Sequence, residues 1–335
     1  MTVQFPPRLN LARLPTPLQP LDRLSEIYSG PRIWVKRDDL TDCSMSGNKI
    51  RKLEFCLAQA IEQGCDTIIT VGGVQSNHCR TTALLCAQLG LKCHLVLRGE
   101  SASIPDGNLL LDLLAGAEIA YYPNHEYQAR EVEILTQWKL HYEDQGACVY
   151  TIPVGASDGI GLWGYINAAL ELASDFEAQS VSPTHIISAT GSGGTQGGLT
   201  VGNQLFELGA KVIGINVCDD ENYFLNKVAE DIADWKSRYT HLQDVKNFQL
   251  KDDAINVLDG YVGPGYARAT SAVFDTIKTV AAKEGLVLDP VYSGKAFHGL
   301  IDKIQAGYFD GSSDIVFVHT GGIFGLFPQR SQISF

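Results

Sequence analysis

The sequence predicts an α/β protein whose parallel sheets are covered by helices. Seven short apolar segments have the length and composition of strands, and helical periodicity fills most of the sequence between them. Strands that are apolar on both faces are typical of parallel sheets with helices on either side. The alternation of the two patterns therefore indicates the α/β class.

The predicted elements follow in chain order. The strands are Arg32–Lys36, Thr67–Val71, Cys93–Leu97, Val149–Ile152, His185–Ala189, Val212–Val217 and Ile315–His319. The clearest helices are Lys52–Glu62, Ser76–Leu89, Glu126–Gln145, Gly159–Ala173 and Thr270–Glu284. A chain of 335 residues suits two domains. We expect a small α/β domain of residues 52–160, a large domain of residues 1–51 and 161–335, and a ligand cleft between them.

Composition narrows the kinds of protein that this chain can be. The net charge is −12, and a negatively charged protein is not attracted to the negatively charged backbone of a nucleic acid, so we expect no nucleic-acid partner. Residues 1–20 lack a basic start followed by an apolar run, and no stretch has the roughly 18 apolar residues of a membrane span. The eight cysteines include no C-x-x-C pair, and most lie in apolar segments. We therefore expect packing cysteines, no metal site, no membrane contact and a cytoplasmic protein.

Four polar or glycine-rich segments interrupt the regular pattern, and the first is Ser46–Glu54. Gly47 permits a turn, and a helix is predicted to start near Lys49, where a cation opposes the helix macrodipole. Arg51 and Lys52 add positive charge, which suits either a bound anion or an amine whose pKa they depress. A depressed pKa favours an amine as a nucleophile towards a carbonyl. A solvated basic helix start is the alternative.

The second segment, Gly72–His78, lies between a predicted strand and a predicted helix. Ser76 or Asn77 can cap that helix, and free backbone N–H groups there would receive a carboxylate. Ordinary helix capping is the alternative. His78 fits a polar residue at a helix start better than a catalytic base.

The third segment, Thr190–Gly198, follows an apolar strand and leads into a helix. Its glycines and hydroxyls suit a phosphate cradle, because bare backbone donors can close on the phosphate oxygens. The cradle residues are Gly191, Ser192, Gly193, Gly194 and Thr195. No Gly-Lys-Ser/Thr ending of a P-loop follows, and the fit to a dinucleotide fingerprint is poor. The pattern favours a phosphate site over a plain tight turn.

The fourth interruption has two parts, Asp289–Lys295 and His319–Gly322, each at a strand end or a helix start. They bring the phenol of Tyr292 and the hydroxyl of Thr320 to the same sheet edge as the cradle. Core packing of the phenol and helix capping by the hydroxyl are the alternatives. The four segments together predict a phosphate-anchored ligand beside an activated amine, and the pattern alone does not name that ligand.

At these segments the sequence resembles the pyridoxal-phosphate enzymes of fold type II, and within them the family of D-cysteine desulfhydrase and 1-aminocyclopropane-1-carboxylate deaminase. The shared motifs are LPTPL at Leu14–Leu18, WVKRDDL at Trp34–Leu40, SGNKIRKLEF at Ser46–Phe55, GGVQSNH at Gly72–His78, GSGGT at Gly191–Thr195, DPVYSGKA at Asp289–Ala296 and HTGG at His319–Gly322. They run almost from end to end of the chain. The resemblance implies a two-domain fold like that of the tryptophan synthase β chain, pyridoxal 5′-phosphate as the cofactor, and a homodimer.

The resemblance also assigns the residues around the cofactor. Lys49, the lysine of the GNK motif, would form the Schiff base, and Lys52 would help the cradle to hold the phosphate. Asn77 would contact the ring hydroxyl of the cofactor. Ser293 and Thr320 would lie beside its ring.

A second set of residues would meet the substrate. The resemblance places Ser76 at the substrate carboxylate, with Asn77, His78 and Ser157 beside it. Tyr266 and Tyr292 match the two active-site tyrosines of the family. In this chain Ala156–Asp158 stands where many desulfhydrases have Gly-Ser-Asn, so the side-chain specificity stays open.

Two positions bear on the reaction. The deaminases of the family carry a glutamate after the DPVY tyrosine and a leucine in H-x-GG, whereas this chain has Ser293 and Thr320, the desulfhydrase pattern. A hydroxyl supports the electron sink of the cofactor less than a carboxylate does, which suits elimination of a good leaving group. The resemblance thus implies a carbon–sulfur lyase that converts a small amino acid, D-cysteine, into pyruvate, ammonia and hydrogen sulfide. The alternatives are a 1-aminocyclopropane-1-carboxylate deaminase, a lyase for cysteate, D-serine or β-chloro-D-alanine, a non-catalytic carrier and a nicotinamide oxidoreductase.

Overall fold

Strands and helices alternate through residues 3–334, the part of the chain that the computed structural model describes. The strands are β1 Leu18–Pro20, β2 Arg32–Lys36, β3 Thr67–Gly73, β4 Lys92–Arg98, β5 Glu118–Tyr122, β6 Val149–Ile152, β7 His185–Thr190, β8 Lys211–Asn216, β9 Asn256–Leu258 and β10 Asp314–Val318. The α-helices are α1 Asp22–Tyr28, α2 Asn48–Glu62, α3 Asn77–Leu89, α4 Gly107–Leu114, α5 Asn124–Glu143, α6 Leu162–Gln179, α7 Gly194–Leu205, α8 Glu221–Arg238, α9 Gln243–Asn247, α10 Ser271–Glu284 and α11 Ser293–Gln305. Short 3-10 helices are Asp38–Leu40, Val154–Ala156, Ile323–Gly325 and Phe327–Gln332.

The strands form two sheets. The larger sheet has the order β1-β2-β10-β7-β8-β9, in which β1 is antiparallel to β2 and the other neighbours are parallel. The smaller sheet has the order β5-β4-β3-β6 and is parallel throughout. The predicted α/β class and parallel sheets are therefore confirmed. The predicted domain limits stay a prediction, and the limit between residues 51 and 52 falls inside α2.

The larger sheet is covered on both faces because its central strands are apolar on both sides. In β2, Ile33 and Val35 point to one face and pack in a core with Phe297 of α11. Trp34, between them, points to the opposite face and packs in a core with Tyr165 of α6. Because helices cover both faces of the sheet, polar side chains can cluster only at the ends of its strands.

Two kinds of feature, membrane-spanning helices and clusters of metal ligands, are absent from the described residues. None of the helices in residues 3–334 is both long and apolar enough to cross a bilayer. In the same residues, His, Cys, Asp and Glu side chains form no group of three that could hold a metal ion. The polar chemistry of the described chain is concentrated instead at the strand ends.

Candidate active site

A cavity of about 910 Å³ lies where strand ends of the two sheets meet the first turns of α2 and α3. The sequence-predicted site residues at its wall are Lys49, Ser76, Asn77, His78, Ser157, Gly191, Ser192, Gly193, Thr195, Tyr266, Tyr292 and Thr320. Lys52, Gly194 and Ser293 lie behind the wall rather than at it. Segments far apart in sequence therefore converge on one cavity, as the sequence predicts.

Lys49 is the second residue of α2 and is half-buried at the cavity wall. It follows Gly47, whose φ of +110° and whose approach to the carbonyl of Thr320 leave no room for a Cβ atom. The Nζ atom of Lys49 lies 3.4 Å from the carbonyl oxygen of Gly155. Desolvation lowers the pKa of this amine from 10.5 to about 8. The amine is therefore partly neutral near pH 7, as a nucleophile must be.

Arg51 does not add positive charge to the cavity, and that expectation was wrong. Residues two apart on a helix point about 200° away from each other, so Arg51 faces away from Lys49. Its Nε and Nη2 atoms each donate to Asp38 at 2.8 Å, and its Nη1 atom donates to Glu171 at 2.7 Å. The depressed pKa of Lys49 therefore comes from burial. Arg51 instead forms ion pairs with Asp38 and Glu171.

Lys52 lies directly behind the start of α7. Its Nζ atom donates to the Gly155 carbonyl at 2.9 Å and to the Ser157 hydroxyl at 3.0 Å. Burial, followed by the charge of Lys49, lowers its pKa well below the usual value. A Cβ atom on Gly194 would stand 2.6 Å from this amine. An amine behind the cradle, once it is protonated, is suited to offset the charge of a phosphate.

The cradle itself is shaped by glycine and held by hydroxyls. Gly193 has a φ of +88°, and α7 begins at the next residue, so the start of this helix lies at the cradle. The Ser157 hydroxyl accepts the N–H of Gly194 at 3.2 Å and donates to Ser192 at 2.8 Å. The amide of Asn48 donates to Thr195 at 2.9 Å. The residues present therefore fit a phosphate group.

The first turn of α3 forms the facing wall. Ser76 caps the helix by accepting the N–H of Cys79 at 3.2 Å, so of the two predicted caps it is the serine that acts. The Oδ1 atom of Asn77 accepts from Arg80 at 3.3 Å and from Asn108 at 3.1 Å. Because both bonds occupy the oxygen, the amide nitrogen of Asn77 is the group left to donate into the cavity.

Arg80, Asn108 and Arg98 are site residues that the sequence analysis missed. Arg80 is fully buried and also donates to the carbonyl of Ser46 at 2.6 Å, which ties α3 to the loop before Lys49. Asn108 comes from α4, far along the chain. Arg98 lines the cavity from the end of β4, in register with Gly73. Only the placement of Arg98 at a strand end could have signalled its role.

His78 is a buried residue with a fixed proton. The Thr70 hydroxyl donates to the carbonyl of Ile152 at 2.8 Å, so it must accept from the Nε2 atom of His78, 2.7 Å away. Burial, and then the charges of Lys49 and Lys52, lowers the pKa of His78 well below its usual value. The imidazole is therefore neutral and carries its proton on Nε2.

Two phenols and two hydroxyls complete the cavity region. The hydroxyls of Tyr266 and Tyr292 lie 2.6 Å apart, and burial raises the pKa of both. Thr320 lines the wall. Ser293 is fully buried, and its hydroxyl donates to Asp289 at 2.6 Å. Both tyrosines are thus protonated at neutral pH, and the serine proton points to a carboxylate.

Comparison with known proteins places this cavity in a family. The family model described as pyridoxal-phosphate dependent enzyme matches residues 9–321. The chain belongs to this family. As a pyridoxal-phosphate dependent enzyme it uses pyridoxal phosphate as its cofactor, and the amine of Lys49 together with the cradle fits that group.

Individual relatives narrow the family further. A D-cysteine desulfhydrase of Salmonella paratyphi A is 40% identical over 98% of this chain and 97% of its own. A bifunctional D-cysteine desulfhydrase/1-aminocyclopropane-1-carboxylate deaminase of Arabidopsis thaliana is 39% identical over 97% of this chain and 80% of its own. A crystal structure titled as the ACC deaminase homologue is 34% identical, with a TM-score of 0.84 over 98% of this chain and 95% of its own. The pyridoxal-phosphate dependent enzyme is therefore a lyase of the desulfhydrase and deaminase group.

We expect the rate of cofactor capture to follow the charge of Lys49. Apoenzyme should take up pyridoxal phosphate faster as the pH rises, with half the maximal rate near pH 8 and a plateau above about pH 9, because only the neutral amine attacks the aldehyde. Stopped-flow absorbance between pH 6 and pH 10 measures this rate. Pyridoxamine phosphate, which has no aldehyde, is the control and should bind without that rise. A rate that still climbs between pH 9 and pH 10 would contradict the depressed pKa.

Proposed function

We propose that this lyase is a D-cysteine desulfhydrase, which converts D-cysteine and water into pyruvate, ammonia and hydrogen sulfide. The observation that carries the proposal is the pair Ser293 and Thr320, two hydroxyls at positions where the deaminase pattern has glutamate and leucine. Ser293 donates its proton to Asp289 and brings no carboxylate to the cavity wall. The Salmonella relative is named for this activity alone, and the Arabidopsis relative is named for this activity together with the deaminase activity.

The substrate carboxylate is assigned to the start of α3. The first amides of a helix have no partner within the helix and carry partial positive charge, so they suit an anion. Ser76 and Asn77 stand at this start and line the cavity. The neutral His78 next to them adds no charge that would compete for the carboxylate. The amino group of the substrate is thereby directed toward Lys49.

Lys49 is the proposed base for the α-proton. The bound cofactor supplies the electron sink that makes this proton removable. The Lys49 amine has a pKa of about 8, so a fraction of it is neutral near pH 7 and can accept a proton. A phenol would have to lose its own proton before it could act as the base, and burial raises the pKa of Tyr292. Tyr266 and Tyr292, which keep their protons at neutral pH, are the groups that we assign to protonate the departing sulfur.

The test is a product assay on a substrate panel. Release of pyruvate and sulfide from D-cysteine is compared with product release from L-cysteine, D-serine, cysteate and 1-aminocyclopropane-1-carboxylate. We expect kcat/KM for D-cysteine to exceed that for the cyclopropane substrate by about 100-fold or more, an expectation of about 3 kcal/mol in transition-state stabilisation. Ser293→Glu should lower this ratio. Turnover of the cyclopropane substrate with none of D-cysteine would overturn the assignment.

The assembly and setting are part of the proposal. The homodimer comes from the family resemblance, and light scattering of the holoenzyme should give twice the 36.4 kDa mass of the chain. The cytoplasmic setting comes from the cysteine pattern, because reduced thiols persist there. A monomeric mass would contradict the first of these statements without touching the chemistry of the cavity.

A further inference from the structure

Cys65 and Cys148 form a close pair of thiols outside the cavity. Their Sγ atoms lie 2.7 Å apart, although 83 positions separate them in the sequence. Cys65 comes just after α2, and Cys148 directly precedes β6. Neither residue lines the cavity or takes part in the chemistry proposed above.

The backbone holds the two cysteines in register. The N–H groups of Asp66 and Thr67 donate to the carbonyl of Cys148 at 3.0 and 3.1 Å. The N–H of Cys148 donates in return to the carboxylate of Asp66 at 3.2 Å. The two bonds to the Cys148 carbonyl continue the parallel pairing of β3 with β6, in which Thr67 faces Val149. The two sulfurs therefore meet because the sheet places them together, and joining them requires no rearrangement of strands.

Exposure distinguishes this pair from the other thiols in the described part of the chain. Cys148 is exposed and Cys65 is buried beside it. Cys86 and Cys93 also adjoin each other, but both are buried. Cys43 is exposed. Cys65 and Cys148 thus combine an accessible thiol with a second thiol in reach.

We propose that Cys65 and Cys148 are a redox modification site that takes a low-molecular-weight disulfide as its oxidant. The Cys148 thiolate attacks the oxidant, and one small thiol leaves as the mixed disulfide forms. Cys65 gives up its proton to water and displaces the second small thiol. Two protein thiols are thereby oxidised to one disulfide, and the oxidant is reduced to two thiols.

The order of the two thiols follows from their surroundings. Burial, and then the neighbouring Cys148, raises the pKa of Cys65 to about 11. A buried thiol with a raised pKa is a poor first nucleophile, whereas Cys148 meets the solvent. Cys65 acts second because the mixed disulfide holds its target at contact distance.

The crosslink would stabilise the smaller sheet without altering the cavity. The closed loop contains β3, β4, β5 and α3, α4, α5, so joining its ends restricts most of that sheet in the unfolded chain. Lys49 lies at the other end of α2, about 20 Å away along the helix axis. We therefore expect Tm to rise by about 5 °C on oxidation, with turnover unchanged.

The experiment oxidises holoenzyme with glutathione disulfide and maps its thiols. Free thiols are blocked with N-ethylmaleimide, and the digest is read by mass spectrometry. The expected result is loss of two of the eight thiols, one crosslinked peptide pair holding Cys65 and Cys148, and recovery of both thiols with dithiothreitol. Tm should rise in parallel with the crosslink.

Three variants separate the roles of the thiols. Cys65→Ser should stop at a stable mixed disulfide on Cys148, and Cys148→Ser should abolish both the adduct and the rise in Tm. Cys43→Ser is the matched control at another exposed thiol and should behave like the unaltered enzyme. A stable glutathione adduct on Cys148 of the unaltered enzyme, or a disulfide between two copies of the chain, would overturn the proposal.

Discussion

Replacing Lys49 with alanine should lower D-cysteine turnover by at least about a thousandfold, because in the proposed mechanism this one side chain holds the cofactor and moves the α-proton. Loss of a positioned acid–base group alone typically costs on the order of 10²–10⁴ in rate. Loss of the amine that bonds the cofactor adds to that cost. Steady-state release of pyruvate from D-cysteine, in the presence of added cofactor, measures the change.

The fold should survive this replacement. Lys49 is half-buried, and within the described residues its Nζ atom has one hydrogen bond, a long one of 3.4 Å. Circular dichroism and Tm should therefore stay close to those of the unaltered enzyme. Lys49→Arg is the matched control: it keeps a cation but no nucleophile, so it should be equally inactive. Retention of a tenth of the turnover by Lys49→Ala would contradict the assignment.

Replacing Arg51 with methionine should reduce the free energy of unfolding by about 3–5 kcal/mol, because it removes the charged group to which the buried carboxylate of Asp38 is hydrogen-bonded. Asp38 is fully buried and accepts two bonds of 2.8 Å from Arg51. Its other partners are the hydroxyls of Tyr165 and Thr16, neither of which carries charge. Urea unfolding monitored by circular dichroism measures the loss.

Arg130→Met is the control that removes an exposed arginine ion pair instead of a buried one. Arg130 binds Glu126 and Glu133 on the exposed side of α5. Exposed pairs of this kind contribute little to stability, because water screens the charges. Equal losses in the two variants would show that the burial of Arg51 and Asp38 has no energetic consequence.

The sequence predicted the inner strands well and missed three of the four strands at the sheet edges. All seven predicted strands are present, with ends displaced by two residues or fewer. The strands it missed, β1, β5 and β9, each lie at an edge of a sheet. An edge strand is partly solvated, so it lacks the continuous apolar run that marks a strand buried on both faces. In β5, for example, Glu118 is exposed and the other four residues are only partly buried.

The sequence predicted the residues that line the cavity better than the residues that hold them in position. Glycine-rich turns and helix starts at strand ends are local patterns, so Lys49, Ser76 and the cradle could be found from the sequence. Arg51 was misplaced because its partner Glu171 lies 120 positions away, beyond any local pattern. Arg80 and Asn108 orient Asn77 through bonds between α3 and α4, and such long-range contacts leave no signal in spacing.

The most direct test of the central claim is to reduce the holoenzyme with borohydride and locate the cofactor. Reduction joins pyridoxal phosphate permanently to the amine that held it, and peptide mass mapping then identifies the lysine. Lys49 should carry the label in a peptide that spans the start of α2. Addition of D-cysteine before borohydride should remove the label from the protein, because the substrate amine takes the place of the lysine. A label on Lys52 or Lys227, both of which lie close to the cradle, would contradict the account.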